Sequence, residues 1–121
     1  MVKGAGNKGF SEAQEPGYLG HRERLRERFK SGGADALPDY ELMELVLFRS
    51  IPRADTKPLA KALIAHFGSF AEAVSAPAER LMEVKGVGEA VAADLKLIQA
   101  AALRLARGEV MNRPLLSSWT A

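Results

Sequence analysis

The residues whose types and spacing point most directly to chemistry are Gly86-Val87-Gly88, within "LMEVKGVGEAVAADL". Two glycines flank one valine, and a long alanine- and leucine-rich run follows from Glu89. Glycine reaches backbone angles closed to other residues, so the spacing predicts a tight turn from a short helix ending near Glu83. The turn delivers the chain to a helix N-terminus, where amides lack partners and the dipole is positive. Such a place binds an anion, most simply a phosphate. Gly86 and Gly88 have no side chains, so a sugar-phosphate backbone can come close, while Val87 points inward. Lys85 adds a cation, and Glu89 opens the following helix. Glu83 and Glu89 also flank the turn with negative charge. The competing reading is a ligand-free corner between two helices.

Other cations are candidates for a supporting basic face. "HRERLRERFK" sets Arg22, Arg24, Arg26, Arg28 and Lys30 against Glu23 and Glu27. Arg53 and Lys96 are further candidates, with Arg49 beside "SIP". Charge runs are more often solvated faces than sites. Arg104 and Arg107 have a dipole reason to lie near a helix C-terminus. The two histidines, His21 and His66, lie far apart in sequence, and His66 reads as a packing or capping residue. Glu41 with Glu44, and Glu79 with Glu83, have ordinary helix-surface spacing. No nucleophile–base pair, metal-ligand set or Walker-type loop accompanies them, so no catalytic set is expected. With no cysteine, the chain forms neither disulfides nor a thiolate metal site. The net charge of +2 permits nucleic-acid binding without arguing strongly for it.

The elements that must position these residues read as helices. Apolar residues make up 47% of the 121, with aromatics only 7%, so leucine and alanine favour helix over strand. Residues 1–17 carry no apolar periodicity and read as a flexible tail. Leu25 and Phe29 give a thin stripe to the basic helix, which Gly32-Gly33 ends. "LPDYELMELVLFRSI" is the most apolar segment and predicts the central buried helix, with Pro38 and Asp39 in its first turn. Asp55 or Thr56 caps the next helix, Pro58 sits in its first turn and Gly68 stops it. Ser69 and Glu72 form a capping-box pattern, and "APAERLMEV" is a further short helix. Val84, Val87, Val91, Leu95, Ile98, Ala102 and Leu105 follow at spacings 3, 4, 4, 3, 4, 3, an amphipathic stripe that Gly108 is expected to close. The expectation is an all-α domain over 18–108, a compact bundle of five or six short helices. Residues 109–121 read as a linker.

"LMEVKGVGEAVAADL" resembles the helix-hairpin-helix motif, with Leu81, Val84, Gly86, Val87, Gly88 and Ala92 at the patterned positions. That family often has proline before the first glycine; here Lys85 stands there. The resemblance implies a SAM/HhH-like fold whose hairpin amides bind DNA phosphates without reading sequence. It also implies a monovalent cation held by the backbone carbonyls of Met82, Val84 and Val87. "GHRERLRERF", "DYELMELVLF" and "IPRADTKPLAKALIAHFGS", in order with the hairpin, resemble the N-terminal region of RadC-type proteins over roughly residues 19–118. Members of that family carry a DNA-repair label and a C-terminal JAMM/MPN metalloprotease-like domain with a His-x-His…Asp zinc motif. Nothing in the chain matches that motif, and "RPLLSSWTA" looks like the lead-in to that domain. The resemblance therefore implies a non-enzymatic DNA-binding module of a longer protein. The alternative is a module that docks on a protein or on the JAMM/MPN domain, with no nucleic-acid contact. Trp119 is expected to pack on either domain. No cofactor is expected. An N-terminus without an apolar signal-peptide core, and no apolar run of transmembrane length, place the expectation in the cytoplasm.

Overall fold

The computed structural model describes residues 17–112, and these form six helices with no strand among them. In chain order they are α1 (Gly17–Gly32), α2 (Asp39–Ser50), α3 (Lys57–Phe67), α4 (Phe70–Ser75), α5 (Ala78–Leu81) and α6 (Glu89–Asn112). The fold is all-α, as the composition and periodicity predict.

Helix α2 lies at the centre and packs against α1, α3, α4 and α6. Its apolar residues Met43, Val46 and Leu47 are buried in one core with Leu63 of α3, Ala73 and Val74 of α4, and Val91 and Leu95 of α6. A smaller cluster of Leu25, Leu37 and Phe48 seats α1 on the other side of α2. Asp39 and Glu41 complement the dipole at the start of α2. Asp39 also reaches across to accept the Phe70 amide at 2.9 Å, so one carboxylate serves two helix starts. The Ser69 hydroxyl accepts the Glu72 amide at 3.0 Å, which is half of the expected capping box. Ser50 donates to the Asp94 carboxylate, joining the end of α2 to α6.

Two expectations are corrected. Glu41 and Glu44 are not surface residues: Glu41 is 8% exposed and Glu44 is fully buried. Both face α1, which supplies the partners that make burial of a carboxylate tolerable. Helix α6 does not stop at Gly108 but continues to Asn112. Gly108 has no left-handed backbone angle. A glycine inside a helix costs only about 1 kcal/mol against alanine, too little by itself to end one. The apolar stripe outlasts the core as well. Val91 and Leu95 are buried, Ile98 is partly buried, and Ala102 and Leu105 lie on open helix. The expected packing of Trp119, residues 113–121 of the expected 109–121 linker and residues 1–16 of the expected 1–17 tail lie outside the described residues.

The stripe therefore predicts two very different results from one type of substitution. Leu95→Ala, at a site with no exposure, should cost about 2–5 kcal/mol in urea unfolding. Leu105→Ala, at 68% exposure, should change stability by no more than about 0.5 kcal/mol.

Candidate functional site

The turn between α5 and α6 is built by a succession of short-range hydrogen bonds. The amides of Glu83 and Val84 bond back to Arg80 and Leu81 at 3.2 and 3.1 Å, and the Val87 amide bonds to Val84 at 3.0 Å. The Ala92 amide then donates to the Gly88 carbonyl at 3.0 Å, which starts α6. Leu81, Val84, Val87 and Val91 all point into the main core. Four apolar anchors thus fix the hairpin while Lys85, Gly86, Gly88 and Glu89 remain exposed.

The two glycines have different jobs. Gly86 adopts φ +100, and a Cβ there would lie 3.3 Å from Leu59 Cδ1 of α3. The left-handed angle favours glycine, and a side chain there would also push Leu59 aside by a few tenths of an ångström. Gly88 has no left-handed angle, and a Cβ there would meet nothing within 4 Å. Its bareness serves nothing in the fold, and it leaves open the approach to the α6 N-terminus. The amides of Gly88, Glu89 and Ala90 donate to no acceptor among the described residues. They stand at the positive end of a helix of 24 residues. Lys85 is the cation at the turn, with exposed Glu83 and Glu89 beside it.

Of the three carbonyls tied to a monovalent cation by resemblance, that of Val84 accepts the Val87 amide, whereas those of Met82 and Val87 accept no such turn bond.

The supporting cations are sorted by the structure. Arg22 is 4% exposed. Its guanidinium donates to the carbonyls of Ile51 at 2.6 Å, Ala54 at 2.7 Å and Pro52 at 3.1 Å. It also stacks over Phe48 at 4.5 Å and Tyr18 at 5.4 Å. Burial, reinforced by the like charge of Arg26, holds this group below its ordinary value. Arg22 is a structural clasp and is not free to meet a phosphate. Arg28 forks onto Glu41 at 2.7 and 3.3 Å, and those bonds hold its guanidinium above the ordinary value. Lys96 donates to the carbonyls of Val74 at 3.1 Å and Ala76 at 2.6 Å, closing the end of α4. Arg24, Arg26 and Arg53 are exposed, with Arg26 lying over Phe48 at 5.4 Å. These three belong to α1 and the α2–α3 connection, whereas the hairpin rests on α3 through Leu59. His66, on the last turn of α3, packs edge-on against Phe67 at 4.6 Å.

Sequence reasoning missed the polar joint between α1 and α2. His21 meets the buried Glu44 carboxylate at 3.1 Å, next to the Arg22 clasp and the Arg28–Glu41 pair. The available signal was two glutamates inside the most apolar run of the chain. Carboxylates buried there require cationic partners, and the arginine-rich helix is the nearest supply.

The hairpin and the helices under it lie within a stretch known from other proteins. Residues 18–93 match the family model described as UPF0758 N-terminal. The chain belongs to the UPF0758 family. A UPF0758 protein of Ruegeria pomeroyi is 64% identical over 107 residues, covering 88% of this chain and 48% of that protein. A UPF0758 protein of Rhodobacter capsulatus is 62% identical over 97 residues, covering 80% of this chain and 45% of that protein. The chain thus spans about half the length of these UPF0758 relatives. The resemblance to the N-terminal region of RadC-type proteins is borne out by this membership. No solved structure matches the chain. Among the described residues of this UPF0758 domain, no group of three His, Asp or Glu side chains is placed to hold a metal ion. No described helix is long and apolar enough to cross a membrane.

Proposed function

We propose that this UPF0758 domain binds DNA without reading its sequence, through a helix-hairpin-helix contact to backbone phosphate. The amides of Gly88, Glu89 and Ala90, free at the α6 N-terminus behind an open Gly88, carry this reading. A phosphate oxygen needs unpaired N–H donors, a positive dipole end and no side chain in the way, and these amides offer that. Lys85 supplies the local charge. In a longer RadC-like protein the domain would place the remainder of the polypeptide on DNA, which suits the DNA-repair role and cytoplasmic location that the RadC resemblance implies.

A single hairpin meets few phosphates, and this sets a quantitative test. On duplex DNA the slope of log K against log salt is about −0.9 per phosphate neutralised. One or two phosphates give a shallow slope of about −1 to −2. Affinity should fall in the non-specific range, with Kd about 10⁻⁴–10⁻⁶ M. Fluorescence anisotropy of labelled duplexes across a salt series measures both quantities. A slope several times steeper would mean that a wide basic face, and not the hairpin, carries the binding.

A second reading is favoured by a different observation. Leu97, Leu103, Leu105, Val110 and Met111 of α6 are exposed, Met111 at 81%, and Glu83 and Glu89 flank the hairpin. An apolar helix end of this kind suits docking on another protein or on a JAMM/MPN domain, with the hairpin as a corner. Absence of binding to duplex, forked and single-stranded DNA alike would favour this second reading.

A further inference from the structure

The joint between α1 and α2 does more than hold two helices together. His21 Nε2 lies 3.1 and 3.3 Å from the two carboxylate oxygens of Glu44, which is fully buried. Beyond the histidine lies a cleft of about 540 Å³, lined by Gly17, Tyr18, His21, Arg24, Asp55 and Lys57. The cleft sits against the first turns of α1 and α3, so two helix dipoles add positive potential there. Arg24 and Lys57 bring two cations. Asp55 is the opposing charge, and its Oδ1 already accepts the Lys57 amide at 3.1 Å.

The dyad decides what His21 offers to the cleft. The two carboxylate oxygens of Glu44 hold the ring in one orientation through Nε2. Nδ1 makes no hydrogen bond among the described residues. That edge of the ring is left for a ligand in the cleft that Arg24 and Lys57 also line. Imidazole, guanidinium and ammonium together suit a compact anion with several oxygens.

We propose that this cleft is a second anion site, specific for a phosphate group, with His21, Arg24 and Lys57 as its ligands and Glu44 as the residue that positions His21. It is independent of the hairpin. The phosphate comes either from a small free phosphate compound or from the 5′-phosphate end of a nucleic acid; the chemistry recognised is the same.

The chain has only two histidines, so proton NMR reads the site with its own reference. Inorganic phosphate is titrated at constant ionic strength while the ring signals of His21 and His66 are followed. The His21 signal should shift and saturate, while that of the exposed His66 stays in place. Arg24→Gln combined with Lys57→Gln should weaken the site about tenfold or more, with an unchanged circular dichroism spectrum. Gly88→Asp should leave it intact, which separates this site from the hairpin. Equal, non-saturating shifts of both histidines, or an unchanged titration in the double variant, would overturn the proposal. A short oligonucleotide with a 5′-phosphate, compared with its 5′-hydroxyl twin, then separates the sources. Preference for the phosphorylated form over inorganic phosphate indicates a nucleic-acid end, and equal affinity indicates a free phosphate compound.

Discussion

Arg22→Met is expected to destabilise the domain by about 3 kcal/mol, more than any other single charge substitution on α1. Methionine keeps the apolar packing against Phe48 but has no donor. The carbonyls of Ile51, Pro52 and Ala54, bonded to the guanidinium at 2.6–3.1 Å, would lose their partner. The connection between α2 and α3 loses its anchor, and α1 loses one of its holds on α2. Arg24→Met, only two residues away on exposed surface, should stay within about 0.5 kcal/mol. Urea unfolding of both variants against the parent checks the contrast. Equal stabilities would show that Arg22 is an ordinary surface cation after all.

The second large effect divides the two glycines of the hairpin. Gly86→Ala forces a side chain onto φ +100 and sets its Cβ 3.3 Å from Leu59. The backbone term alone is about 1–2 kcal/mol, and displacement of Leu59 adds to it. Gly88→Asp meets neither problem. Its carboxylate would cap α6 by accepting the free amides, gaining a few tenths of a kcal/mol over glycine. The same carboxylate would occupy and repel from the place assigned to phosphate. Stability and DNA binding should therefore move in opposite directions at Gly88, whereas at Gly86 stability falls first. Thermal unfolding read beside DNA titration distinguishes the two positions.

The contrast between what the sequence reveals and what it hides has a physical basis. The hairpin is legible because its determinants are local. Gly86 and Gly88 mark the turn, and Leu81, Val84, Val87 and Val91 repeat at helical spacing. Helix α2 is legible because its apolar density leaves no alternative to burial. The α1 cations are not legible individually. Arg22, Arg24, Arg26 and Arg28 look alike in sequence, yet Arg22 finds its partners some 30 residues away and Arg28 meets Glu41. Long-range partners of this kind leave no periodicity. Lys96 likewise looks like a free cation on an exposed face until α4 ends beneath it. The far end of α6 misleads in another way. Its stripe continues through Ala102 and Leu105 in perfect spacing, but periodicity states which residues share a face, not whether anything covers that face.

Labelled duplex DNA is titrated with the parent chain and with Gly88→Asp at about 50 mM salt, where phosphate contacts are least masked. Circular dichroism confirms that both are folded. The parent should bind saturably, and the variant, at least as stable, should lose binding. Equal binding by Gly88→Asp, or no binding by the parent up to about 10⁻⁴ M, would contradict phosphate binding at the hairpin.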